Sequence, residues 1–333
     1  MSTNKQILLH SRPDGFPELS NFRLAETEIP ECKTDEVLIR TSYLSVDPYM
    51  RGRMRDRKSY APPVELNSVM VGECVGVIEQ SSSDRFKVGD SVAAEIGWQQ
   101  FGVMPANRVR RVKPGLPIST ALHVVGMPGL TAYFGLLHVC EPVEGETVVV
   151  SGAAGAVGTA VGQIAKLKGC RVVGIAGSDE KTDYLVNELG FDAAINYKTT
   201  ESIYKALKNH CPDGIDVYFD NVGGTTTDAV FALINVHARM AICGQISQYN
   251  LAEAEYGPRV LWNLIVKRAK VQGLLVSDFA AHFAKAAHDL HQWVASGKIK
   301  YRETVTEEIE NAPQAFIDLL SGGNIGKQLV KVS

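Results

Sequence analysis

The sequence predicts an α/β protein in which a β-rich N-terminal domain precedes a doubly wound parallel sheet. Three observations carry this. From about Gly126 onward, short apolar strands alternate with amphipathic stretches, the pattern of a parallel sheet covered by helices on both faces. One of those strands runs into a glycine-rich turn that opens a helix, Val150-Ser151-Gly152-Ala153-Ala154-Gly155-Ala156-Val157-Gly158. Before Gly126 the apolar runs are short and broken by glycine, proline and polar clusters, as in small barrels and sandwiches.

The elements follow in order. Residues 37–40 and 70–78 read as strands, and Val88-Gly89-Asp90 turns the chain into another at 91–94. In the alternating region, strands are expected at 147–150, 171–176, 216–220, 239–243 and 271–275, with a shorter one at 193–195. Helices are expected around 155–168, 179–189, 201–210, 224–235 and 259–267. A further helix is expected over 279–296, stopped by Gly297, before a tail of mixed structure.

With 333 residues, two domains are expected. A net charge of −3 gives no general attraction to nucleic acid or acidic lipid. No apolar run is long enough to span a membrane. The start, MSTNKQILLHSRPDGFPE, lacks a signal-peptide core and cleavage site, so a cytoplasmic location is expected. The six cysteines are far apart with no C-x-x-C pair, which suits reduced thiols.

The glycine turn carries the chemistry. Backbone without Cβ atoms approaches a pyrophosphate closely, and the helix N-terminus offers unpaired N–H groups and a positive dipole end. Gly155, Ala156, Val157 and Gly158 are therefore expected to hold a dinucleotide in a Rossmann-type fold. A P-loop would need Gly-Lys-Ser/Thr, which is absent. NAD enzymes place an acidic side chain at the end of the next strand, to accept from the ribose 2′-hydroxyl. Here that place falls on Ala176 or Gly177, followed by Ser178 and, one turn later, Lys181. A donor and a cation suit a 2′-phosphate, so the expected cofactor is NADP(H). Asp179 and Glu180 fit only if they face away at the helix start.

No metal is expected. The loop Ser45-Val46-Asp47-Pro48-Tyr49-Met50 has no thiolate, Gly72-Glu73-Cys74 has no neighbouring histidine, and no four cysteines cluster. His288 and His291 read as surface residues of a helix. No G-x-S-x-G nucleophile elbow occurs.

Further motifs add up to a family. They are Ser45-Val46-Asp47-Pro48-Tyr49-Met50-Arg51, Gly126-Met127-Pro128-Gly129-Leu130-Thr131-Ala132-Tyr133 and Gly177-Ser178-Asp179-Glu180-Lys181. Next come Phe219-Asp220-Asn221-Val222-Gly223-Gly224, Cys243-Gly244-Gln245-Ile246-Ser247-Gln248-Tyr249-Asn250 and Gly322-Gly323-Asn324-Ile325-Gly326-Lys327. With the glycine turn, these resemble the zinc-independent medium-chain dehydrogenase/reductases, specifically the prostaglandin reductase (leukotriene B4 12-hydroxydehydrogenase) and alkenal double-bond reductase group. The resemblance implies a chaperonin-10-like β-barrel catalytic domain over 1–126 and 301–333, and a Rossmann domain over 127–300. It also implies cofactor contacts from Tyr197, Asn221, Cys243, Gly244, Gln245, Ile246, Ser247, Tyr249, Leu274, Leu275, Val276 and Asn324, and a homodimer made through the nucleotide domains.

The implied reaction is reduction of an α,β-unsaturated ketone or aldehyde. Hydride reaches the β carbon, negative charge grows on the carbonyl oxygen, and a donor aimed there lowers the barrier. Tyr249 is the candidate donor, or else a packing residue of the wall. Tyr49 is a candidate for the substrate pocket. Tyr60, Tyr256 and Trp262 are candidates for an apolar lining, with core or interface packing as the alternative. The basic run Arg51-Gly52-Arg53-Met54-Arg55-Asp56-Arg57-Lys58 is either solvated or steers substrates that carry a carboxylate. A quinone or carbonyl reductase on the same scaffold, and an NADPH-binding sensor, remain as alternatives.

Overall fold

The computed structural model describes residues 3–333. The chain forms two units, one from the segment through Leu122 together with Glu303–Ser333, the other His123–Arg302. The strands are β1 (Thr3–Leu9), β2 (Phe22–Glu28), β3 (Glu36–Ser45), β4 (Cys74–Ser81), β5 (Ser91–Ala94), β6 (Phe101–Pro105), β7 (Arg110–Arg111), β8 (Thr147–Ser151), β9 (Arg171–Ala176), β10 (Ala193–Asn196), β11 (Ile215–Asp220), β12 (Ile234–Ile242), β13 (Lys270–Gly273), β14 (Glu303–Glu307) and β15 (Lys327–Lys331).

In the His123–Arg302 unit, six strands pair in the order β10-β9-β8-β11-β12-β13, all parallel. This is the doubly wound order. It reverses between β8 and β11, and ligands of such sheets bind in the crevice at that switch point. The β8 strand, Thr147-Val148-Val149-Val150-Ser151, is buried at every position, as expected when helices cover both faces. The helix Ala156–Leu167 buries Ala160, Val161, Ile164 and Ala165 at helical spacing.

In the other unit, β3 is the central strand. Along one edge its residues 36–40 pair with β6 and its residues 43–45 with β15; the opposite edge pairs with β4. The strand bends where register shifts, and Thr41 N–H leaves the ladder to donate to Gln100 O (2.8 Å). The sheet runs β14-β15-β3-β4-β5-β7, an open path on which the C-terminal strand β15 is interior. Trp98 is fully buried in the core of this unit, stacked on Phe22 (5.8 Å) and edge-on to Phe316 (6.0 Å).

Several boundaries differ from expectation. The apolar run 70–78 becomes a strand only from Cys74, because Met70 N–H bonds to Ile7 O and its carbonyl takes Trp98 N–H. The helix expected to 235 ends at Phe231, since Ile234 already pairs with Ile215 in the sheet. The helix expected from 279 begins at Phe283, after a 3-10 segment Val276–His282.

Candidate active site

The phosphate turn comes first. Gly155 is the N-cap of the helix Ala156–Leu167, with extended backbone (φ −83°, ψ 176°). The first N–H groups of that helix, on Ala156, Val157 and Gly158, are the ones no intrahelical carbonyl reaches. Gly158 must be glycine: a Cβ there would stand 2.4 Å from Gly152 O and 2.7 Å from Ala153 Cα. At Gly155 the same atom would meet only Gly152 O, at 3.3 Å, so its outward side is open. The result is a bare, partly exposed backbone at the carboxyl end of β8, where a pyrophosphate fits.

At the end of β9, Ser178 caps the next helical turn by accepting from Lys181 N–H (3.3 Å). The Lys181 ammonium is held below its ordinary value, first by burial and then by the positive charge of Lys198, with Glu180 opposing. The Tyr197 ring lies against Gly177. Asp179 accepts from Asn196 Nδ2 (2.7 Å), and Glu180 lies 3.7 Å from Arg302. Both acids are therefore engaged by neighbours at the helix start, where acidic groups also suit the dipole.

The loops after β11 and β12 come together at the third part of the site. Asn221 Nδ2 donates to Ser151 O (2.7 Å), which ties the end of β11 to the end of β8. Cys243 and Gly244 N–H both donate to Asp220 O. Burial, and after it the charge of Asp220, pushes the Cys243 thiol up to about 12, so it stays neutral. Ile246 N–H donates to Asn221 O, and Ser247 Oγ to Val222 O (2.7 Å). Tyr249 closes the short turn Ile246–Gln248, and its hydroxyl accepts from Gln245 N–H (3.3 Å). Leu274 N–H donates to Ile242 O (2.9 Å), so the half-buried stretch 274–276 starts at the same end of the sheet.

Tyr49 and Asn324 belong to the other unit. Tyr49 is half-buried, and burial, then the carboxylates of Asp47, Glu95 and Glu73, keeps its phenol protonated. Asn324 is buried and donates to Gly326 O (2.8 Å). Nearby in the sequence, Lys327 Nζ donates to Asp47 (2.9 Å) and to Val46 O (2.7 Å), and Ser45 also hydrogen-bonds to Asp47. Among the described residues no three His, Cys, Asp or Glu side chains are grouped to hold a metal ion.

Tyr256 departs from expectation. Its side chain is 98 % exposed, within a fully exposed irregular stretch at 251–259, so it lines no pocket within its unit. Nothing in that stretch packs it down. Sequence reasoning missed Asp220 itself, Ser151, Thr227 and Lys198. The one available signal was an acidic residue ending the apolar run Val217-Tyr218-Phe219.

Comparison with known proteins adds to this geometry. Two family models match in succession, one described as the N-terminal domain of oxidoreductase over residues 5–112, the other as zinc-binding dehydrogenase over residues 156–293. A putative NADP-dependent oxidoreductase of Bacillus subtilis (strain 168), YfmJ, is 54 % identical over 100 % of this chain and 98 % of its own. NADPH-dependent curcumin reductase of Escherichia coli (strain K12) is 43 % identical over 99 % and 97 %. Prostaglandin reductase 1 of Rattus norvegicus is 46 % identical over 96 % of each. The crystal structure of CurA in complex with NADPH from Vibrio vulnificus superposes with a TM-score of 0.95 at 46 % identity, covering 99 % of both chains.

Proposed function

The chain belongs to the zinc-independent medium-chain dehydrogenase/reductases, in their prostaglandin reductase and alkenal double-bond reductase group, and from that premise we propose that it reduces the C=C bond of α,β-unsaturated ketones and aldehydes with NADPH. What carries the reading is a glycine cradle at the switch point of the parallel sheet, with Lys181 and no acid at the end of β9. The chain-long identity to NADPH-dependent reductases agrees with it.

The backbone at 155–158 is the pyrophosphate seat. Ser178, Lys181 and Tyr197 serve the 2′-phosphate end, and Lys198 adds a second positive charge there. Asn221, the loop 243–249 and the stretch 274–276 form the walls toward the nicotinamide, and the family resemblance alone assigns Asn324 to the cofactor. Bound NADPH supplies the hydride for the β carbon. As charge grows on the carbonyl oxygen, a placed donor contributes about 3 kcal/mol. Tyr249 is that donor, and the N–H it accepts from Gln245 polarises its own O–H. Tyr49 belongs to the substrate pocket, where its phenol is uncharged.

We assign a homodimer to the edge of the nucleotide sheet. The edge strand β13 exposes every side chain, and beside it the helix Leu261–Lys267 turns Leu261, Trp262 and Ile265 to solvent (71 %, 68 % and 67 % exposed). An open strand edge next to such a patch suits a second copy in an isologous contact. Trp262→Glu should shift the protein from dimer to monomer in sedimentation. The six cysteines form no disulfide, which agrees with a reducing cytoplasm. No helix among the described residues is long and apolar enough to cross a membrane.

The purified protein should oxidise NADPH with 2-alkenals and enones about tenfold faster than with quinones. A preference for quinones would make it a quinone reductase. NADPH binding without turnover across the panel would make it a binding protein.

A further inference from the structure

We propose that Asp220 is the positioning residue for hydride transfer, its buried carboxylate fixing the two loops that flank the nicotinamide. The inference rests on the reductase reading above.

Asp220 ends β11 and is fully buried. One carboxylate oxygen accepts from Ser151 Oγ, Tyr218 OH, Val222 N–H and Gly223 N–H, each at 2.9 Å. The other accepts from Thr227 Oγ1 (2.7 Å) and Gln245 Nε2 (3.0 Å). Its backbone carbonyl takes Cys243 N–H (2.8 Å) and Gly244 N–H (3.0 Å). All of these donors are neutral. They come from the end of β8, from β11 itself, from the loop and helix after β11, and from the loop after β12.

Burying a carboxylate is costly, and an apolar residue would end the strand more cheaply. What a carboxylate offers is acceptor capacity on both oxygens, which draws several donors to one point. Gln245 reaches it only because Gly223 (φ +75°) is bare: a Cβ there would stand 2.2 Å from Gln245 Oε1. The phosphates and the 2′ end are held by other residues. Loosening this network should therefore spare binding and impair the alignment that hydride transfer needs.

The test is Asp220→Asn in the full-length protein, which turns one acceptor into a donor facing Thr227 or Gln245. The turnover number with an enone should fall about 30-fold, while the NADPH dissociation constant, read by nicotinamide fluorescence, changes less than about threefold. The primary isotope effect with deuterated NADPH should rise. In the cofactor-free variant, amide exchange at 221–224 and 243–247 should quicken about tenfold. A lower melting temperature with unchanged turnover and isotope effect would reduce Asp220 to a structural role and overturn the proposal. If Asp220→Asn does not fold, Thr227→Val should lower turnover about threefold at constant NADPH affinity, and full turnover would overturn the proposal. A wild-type protein that binds NADPH but reduces no enone sinks the reductase reading and the hydride-transfer role with it. Unchanged exchange at the two loops sinks the Asp220 proposal alone.

Discussion

The phosphate turn and the nicotinamide-side loops lie at the same end of one sheet, yet different forces hold them. The turn at 152–158 is shaped by backbone sterics, with Gly158 packed against Gly152 O and Ala153. The loops at 221–224 and 243–249 are shaped by side chains that converge on Asp220. A phosphate seat needs only bare N–H groups, which a helix end provides locally. A reactive centre needs parts from distant segments set to a fraction of an ångström, and only tertiary contacts supply that.

The sharpest way to break this comparison is at the glycines. Gly158→Ala forces a Cβ into backbone that cannot give, and should cost about 3 kcal/mol of stability with loss of NADPH binding. Gly155→Ala should nearly keep the melting temperature and weaken NADPH, because within the protein its Cβ would meet only Gly152 O, at 3.3 Å. Equal melting temperatures for the two variants would refute the steric account. Next in size is Tyr249→Phe. Turnover should fall about 150-fold at nearly constant NADPH affinity, and unchanged turnover would retire the phenol as donor.

At the 2′ end, Lys181→Ala should raise the NADPH dissociation constant about tenfold and leave NADH unaffected. Equal losses for both cofactors would remove the 2′-phosphate assignment. The smallest effect is one of pH. Burial and Lys198 lower the Lys181 pKa from the ordinary 10.5. NADPH affinity should therefore be complete below that lowered value and decline as pH rises through it, sooner than for an ordinary lysine. Lys198→Ala should move the decline to higher pH. NADH titrated in parallel should show none of it.

The same contrast governs how much the sequence disclosed. Glycine spacing, the apolar face of Ala156–Leu167 and the missing acid at Gly177 are local patterns, and each was legible. The network around Asp220 joins residues 151, 218, 222, 223, 227 and 245, whose spacing follows no period. No scan along the chain could assemble it. Tyr256 shows the converse: an aromatic residue expected in an apolar lining is 98 % exposed within its unit. The run at 70–78 failed as one strand for a related reason, since Met70 spends its backbone on Ile7 and Trp98.

The tail strand β15 has a consequence for biosynthesis. It lies between β14 and β3, and it brings the ammonium that pairs with Asp47, 280 positions earlier in the chain. Residues 123–302 carry all six strands of their own sheet and can close as soon as they leave the ribosome. The amino-terminal unit, though made first, must wait for the last residues, roughly 10–40 s at ordinary elongation rates. During that interval part of β3 has a bare edge and Asp47 has no cation, so the newborn chain is most in need of a chaperone at the end that emerged earliest.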